Sequence, residues 1–146
     1  MVFYQWAALP TDRQHGTVKA LYEGKIRLCL SPKLLEEIRD LLSRPNIRAQ
    51  SSNLTDERIA SVLEAAGQHA DWFPSVREVF TLTSHPDDDH IFNLAIESKA
   101  SFLITWENRI LRLQAEQTDE GKKLRELAPG LRILSPSEFA QELKLR

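Results

Sequence analysis

Twice in this chain a short apolar run is followed at once by Ser-Pro: KIRLCL stands before Ser31-Pro32, and LRIL before Ser135-Pro136. An alternating or continuous run of Ile and Leu bounded in this way reads as a strand. Serine before proline reads as a helix start, because serine caps free N–H groups and proline suits the first helical position. The second joint adds Glu138 three residues after Ser135, which completes a capping box. Helices alternating with short apolar strands indicate an α/β domain with a largely parallel sheet. Ligand sites in such sheets gather beyond the carboxyl ends of the strands.

The rest of the chain is punctuated accordingly. Residues near Thr11 to Gly16 read as a loop or helix start, and Val18, Ala20, Leu21 and Tyr22 as a short helix closed by Gly24. The strand Lys25–Leu30 leads into a helix from Pro32 to about Ser43. Its inner face is Leu34, Leu35, Ile38, Leu41 and Leu42, and Arg44-Pro45-Asn46 ends it. A second helix runs from about Thr55, its cap, to Ala70, with Ile59, Val62, Leu63 and Ala66 as its stripe. Trp72-Phe73-Pro74 reads as a turn into the extended piece REVFTLT. FLIT reads as a buried strand and Ile110–Leu113 as a short helical turn. The charged segment from Gln114 to Glu126 is expected to be exposed or mobile, and the last helix to turn Phe139, Leu143 and Leu145 inward.

A length of 146 residues, 42% apolar and 27% charged, argues for a single globular domain over residues 1–146. The net charge of -2 gives no global positive field for nucleic acid, although local basic patches are compatible with it. Cys29 has no internal partner and is expected to be a buried structural thiol, in keeping with a reducing compartment. No apolar stretch approaches the roughly 20 residues that span a bilayer. Gln5, Pro10, Thr11 and Asp12 interrupt the N-terminus too early for a secretion signal. The expected setting is the cytoplasm, with no membrane partner.

Chemistry concentrates in Ser84–Asn108, SHPDDDHIFNLAIESKASFLITWEN, which reads as helix, loop and strand. Wound at about 100° per residue, Ile91, Phe92, Leu94, Ala95 and Ile96 form one apolar face. Asp88 falls near the middle of it, while Asp87 and Asp89 fall towards its edges. Acids at a helix start are favoured by the helix dipole, which suffices for Asp87 and Asp89. An ionised Asp88 on the apolar face needs a cation or donors. Glu107 follows the FLIT strand. Glu37, at the margin of its helix, reads either as a surface acid paired with Lys33 or Arg39 or as a third member of an acidic set. The expected topology brings Glu37, Asp88 and Glu107 to one edge of the sheet.

Carboxylates without a His or Cys cluster suit Mg²⁺ or Mn²⁺ rather than zinc. Such ions activate water and stabilise a leaving oxygen in phosphodiester hydrolysis. His15, His69 and His90 lack ligand spacing and read as surface residues; His85 reads as a surface residue or a phosphate contact. There is no Gly-x-Ser-x-Gly elbow, no phosphate-cradling Gly-rich loop, and no helix-turn-helix or zinc-finger motif.

The order SPKLLEEIRDLLSRPNIR, then HPDDDHIFNLAIESKASFLITWENRIL, then LRILSPSEFAQEL resembles the PIN-domain family over about Val2 to Leu143. More narrowly, it resembles the toxin branch of prokaryotic toxin–antitoxin pairs. The resemblance implies a three-layer α/β/α sandwich and an Mg²⁺- or Mn²⁺-dependent endoribonuclease. It places the family's helix glutamate on Glu37, the aspartate of the later helix on Asp88, and the acid after the following strand on Glu107. Thr105 takes the Ser/Thr position, with Asp87 and Asp89 in support.

Two departures matter. The family's first strand and its Asp-x-Asn motif are absent, since MVFYQ matches the family's residues just beyond that motif and Met1 stands in the asparagine's place. A second aspartate, two residues after the last acid, is replaced by Arg109. Loss of a central strand leaves backbone groups in need of partners, to be supplied by a neighbouring chain, a swapped segment or a rearranged N-terminus. A shortened version of a longer protein is expected, and a homodimer. Two readings are open: a ribonuclease weakened by the loss of one acid, or a catalytically silent domain binding RNA or an antitoxin-like protein.

Overall fold

Five of the described α-helices begin at a capping side chain or a proline. The computed structural model describes residue 8 and residues 16–113 and 115–144. The expectations for MVFYQ, including the missing first strand, and those for the loop from Thr11, for His15 and for Leu145, lie outside the described residues. The chain gathers into two compact units, the first running to Trp72 and the second from Phe73.

In the first unit, α1 (Gly16–Tyr22) ends on Gly24 at φ +72°. Lys25 N–H donates to Ala20 O (2.9 Å) and Gly24 N–H to Leu21 O (3.1 Å), the paired bonds of a glycine-closed helix end. β1 (Leu28–Leu30) is shorter than the expected strand and leads into α2 (Pro32–Ser43). Ser31 caps α2, its Oγ accepting from Leu34 N–H at 3.2 Å. The chain restarts at once in the short α3 (Pro45–Arg48), again with proline in the first turn. α4 (Asp56–Gln68) is capped by Thr55, whose Oγ1 accepts from Arg58 N–H at 3.1 Å.

Ile59, Val62, Leu63 and Ala66 are all buried, as their spacing requires, and they pack in one core with Leu30, Ile38 and Leu42. One expectation fails here. The helix does not run on to Ala70: residues Ala70–Trp72 form β2, parallel to β1 with Leu28 opposite Ala70 and Leu30 opposite Trp72. Three residues centred on an aspartate carry no apolar pattern. Their strand exists because β1 supplies the ladder, and Arg27 pairs with Asp71 across it at 3.0 Å. Cys29, in β1, is a half-buried free thiol rather than a fully buried one.

In the second unit, a 3-10 turn (Pro86–Asp88) leads into α5 (Asp89–Glu97). β3 (Phe102–Ile104) pairs in parallel with β4 (Arg132–Leu134), Leu103 standing opposite Ile133. α6 (Asn108–Leu113) and α7 (Asp119–Leu127) make the crossover between them, and α8 (Pro136–Lys144) follows β4. The predicted capping box forms. Ser135 N–H donates to Glu138 Oε1 at 3.0 Å, and Glu138 N–H donates to Ser135 Oγ at 3.2 Å. These bonds hold the Glu138 carboxyl below its ordinary range.

Phe92, Leu103, Ile110, Leu124 and Ile133 share the second core with Phe80. Leu124 corrects the expectation that Gln114–Glu126 is exposed or mobile: it is fully buried, at 0% exposure. The helix escapes a periodicity reading because it has few apolar residues, and its close approach depends on glycine. A Cβ on Gly121 would lie 2.7 Å from both Leu113 O and Glu116 O.

The fold class expected from sequence is therefore found, as helices with parallel strands in both units. Among the described residues the strands pair two by two. No described helix is long and apolar enough to cross a membrane.

α5 closes as α1 does, but with Lys99 where a glycine would be unstrained, at φ +53°. Ala100 N–H donates to Ala95 O and Lys99 N–H to Ile96 O. A left-handed conformation costs a non-glycine residue roughly 1–2 kcal/mol, and glycine's greater freedom when unfolded returns part of that. Lys99→Gly is accordingly expected to stabilise the protein by about 0.5–1 kcal/mol, read as a higher urea midpoint at unchanged slope.

Candidate active site

The acidic turn at Asp87–Asp89 is positioned by a segment that has no strand partner. Among the described residues, 77–83 belong to no strand, yet their buried N–H groups still have to be satisfied. Side chains do this in place of a neighbouring strand. Asn93 is 2% exposed; its Oδ1 accepts from Val79 N–H and Phe80 N–H, both at 2.9 Å. Its Nδ2 donates to Phe80 O and to Asp89 O, both at 3.0 Å. Both lone pairs and both protons of the amide are thereby used.

Two acids continue the series. Asp89 Oδ1 accepts from Leu82 N–H at 2.7 Å, and Glu120 Oε1, on α7, accepts from Thr83 N–H at 2.8 Å. His85 N–H then donates to Leu82 O at 2.9 Å, closing the turn that delivers Pro86 to the 3-10 helix. His85 is half-buried, with Nδ1 2.9 Å from Ser84 Oγ.

The three aspartates consequently have three different settings. Asp87 is exposed, as expected for an acid at a helix start. Asp89 is not the solvated acid its position suggests: it is half-buried and bonded to Leu82. Asp88 is half-buried at the N-cap of α5, and its side chain makes no capping bond. The residues before Asp89 turn with about 3.0 residues per turn rather than 3.6. The 100° step of the sequence reading therefore holds from Asp89 onwards and not across Pro86–Asp88.

The last expected acid lies just past the carboxyl end of β3. Thr105 N–H donates to Leu134 O at 3.0 Å, carrying the ladder one residue further. Thr105 Oγ1 accepts from Glu107 N–H at 3.1 Å, and Glu107 O accepts from Leu111 N–H at 3.0 Å as α6 begins. The backbone from Thr105 to Glu107 is thus held at both ends. Glu107 itself is exposed and paired with Arg109, Nη2 to Oε2 at 3.0 Å. Glu37 lies on α2 in the first unit and is exposed. Among the described residues, no group of three or more His, Cys, Asp or Glu side chains forms a metal-holding set.

A family model described as PIN domain matches residues 2–109. The chain belongs to the PIN-domain family. PIN domains share a nuclease-type fold, bind RNA and generally use divalent metal ions. Neither the curated proteins nor the solved structures yielded a match to this chain.

In this PIN domain the available donors are chemically suited to such an ion. Asp88 and Glu107 offer hard carboxylate oxygens, which Mg²⁺ and Mn²⁺ prefer. Glu107 already has a cation, but its pair with Arg109 is half-exposed, at 51% for each side chain. Exposed pairs contribute only about 0–1 kcal/mol.

Several of these residues carry no sequence signal of their own. Asn93 is hidden in the apolar run IFNLAI, where a polar residue on the buried side is the one clue. Glu120 lies in the charged segment, and only the fold brings it to Thr83.

Asn93→Leu keeps the branching at Cγ but offers no partner to Val79 N–H, Phe80 N–H and Phe80 O. Each buried unsatisfied group costs about 1–3 kcal/mol, so a loss of at least about 3 kcal/mol is expected. Urea denaturation measures it, and Leu82 and Thr83 should lose amide-exchange protection alongside Val79 and Phe80.

Proposed function

We propose that this chain is a metal-dependent endoribonuclease of the toxin–antitoxin type, hydrolysing RNA phosphodiesters with Mg²⁺ or Mn²⁺. The proposed carboxylates are Glu37, Asp88 and Glu107, with Thr105, Asp87 and Asp89 in support. The observation that carries this reading is Glu107 placed immediately beyond a parallel strand, on a backbone pinned by Thr105, in a chain that matches the PIN-domain family. Carboxyl ends of parallel strands are where α/β proteins place their chemistry.

A divalent ion would supply water activation and neutralise charge on the leaving oxygen. The chain's own contribution is to hold carboxylates for it. Thr105 fixes the backbone of Glu107, and Asp89 fixes the Leu82 turn ahead of Asp88. The wider reading includes a single PIN-like domain acting in the cytoplasm, an antitoxin protein as partner and association as a homodimer.

A second reading is favoured by one observation, the guanidinium of Arg109 on Glu107. On that reading the domain is catalytically silent and binds RNA or an antitoxin-like protein through the same surface.

Two measurements separate them. Mn²⁺-dependent cleavage of single-stranded RNA is expected from the wild-type chain. Even partners behind a metal ligand are worth 10–100-fold, so Asp88→Asn should reduce cleavage by at least about 100-fold. Unchanged cleavage would remove Asp88 from the site, and no cleavage by either protein would favour the silent domain. Arg109→Ala, by freeing Glu107 from a pair worth about 0–1 kcal/mol, should tighten Mn²⁺ binding up to about five-fold in titration calorimetry. A silent domain would show no metal binding in either form.

A further inference from the structure

Trp106 stands in the turn between Thr105 and Glu107, 47% exposed. Of the other large exposed side chains among the described residues, Trp72 and Tyr22 are engaged. Trp72 donates its indole N–H to Gly67 O at 3.2 Å and rests 3.5 Å from the position of a Gly67 Cβ. Tyr22 makes an edge-on contact with the His69 ring, centroids 4.9 Å apart. Val79 has its backbone tied to Asn93. Among the described residues, Trp106 has no hydrogen bond and no ring contact. Its backbone, in contrast, is fixed on both sides, by Thr105 N–H on Leu134 O and by Glu107 N–H on Thr105 Oγ1.

A rigid turn that presents an unengaged indole is a preorganised surface, which loses little freedom when something stacks on it. The charge beside it is positive on the solvent side of α6. Ile110 and Leu113 are buried there, while Arg109 and Arg112 are exposed one helical turn apart. An aromatic face beside cations is the combination that takes single-stranded nucleic acid, bases stacking on the ring and phosphates meeting the guanidinium groups. A duplex, whose bases are already stacked and paired, cannot offer a free face to the indole.

We propose that Trp106 is a base-stacking platform for single-stranded RNA, with Arg109 and Arg112 as its phosphate contacts. This places a nucleotide of the substrate next to Glu107 and so deepens the ribonuclease reading, on which it rests. Arg109 then has two partners, Glu107 in the free protein and a phosphate once RNA is bound.

The test is binding without chemistry. Fluorescence anisotropy of a labelled single-stranded RNA 12-mer is measured with the full chain in EDTA and at low salt. Base–aromatic stacking is worth about 1–3 kcal/mol per base, so Trp106→Ala is expected to weaken binding roughly ten-fold or more. Trp106→Phe should retain most of the affinity and Trp72→Ala all of it. An RNA duplex should bind more weakly and be indifferent to Trp106→Ala.

Equal affinity of wild type and Trp106→Ala would overturn the inference, as would absence of single-strand binding by the wild type. So would a Trp106→Ala change confined to self-association in sedimentation velocity. Cleavage with Mn²⁺, assayed separately, keeps the two proposals apart. Trp106-dependent binding without cleavage sustains the platform and removes the nuclease. Cleavage with Trp106-independent binding does the reverse.

Discussion

The second unit depends on one amide side chain. Asn93 makes four hydrogen bonds from a site almost closed to solvent, and through them it supplies residues 79 and 80 with what a neighbouring strand would otherwise give. A buried amide with any bond missing would be costly, whereas one with all four made is a specific lock. Its effect extends along the chain. Once Val79 and Phe80 are placed, Leu82 meets Asp89 and Thr83 meets Glu120, and the turn into the acidic helix start has one geometry. Phe80 meanwhile packs against Phe92, centroids 5.3 Å apart, so the polar lock and the apolar core set the same segment.

A similar logic holds at the end of β3, where the parallel ladder with β4 reaches Thr105 and the Thr105 hydroxyl takes the next free N–H but one. The chain then starts α6 from Glu107 O. Three backbone constraints in three residues leave the side chains of Trp106, Glu107 and Arg109 displayed at an open surface. The one cation seen on Glu107 is Arg109, in an exposed pair that contributes little to stability.

Much of the fold was written in local patterns. Ser31, Thr55 and Ser135 cap the helices their positions announced, and Gly24 ends the first helix as glycine should. The stripe Ile59, Val62, Leu63 and Ala66 is buried throughout. These features need only neighbours within one or two helical turns, which is why they can be read from spacing. The strand Ala70–Trp72 could not be read, since a three-residue strand exists only through its partner. Nor could the helix at Asp119–Leu127, whose approach relies on Gly121 meeting two carbonyls rather than on an apolar stripe.

The candidate site divides along the same line. Residue spacing alone picked out Asp88 among three adjacent aspartates and marked Glu107 as the acid beyond a strand, because helix and strand periodicities are local properties of the chain. Packing settled the rest: the 3-10 turn that leaves Asp88 half-buried, the bond that takes Asp89 to Leu82, and the distant Glu120 on Thr83. It also put Arg109 on Glu107 and left Trp106 facing water. Hydrogen bonds between residues far apart in sequence, and the exposure of a given ring, belong to the assembled chain, so no periodicity could have announced them.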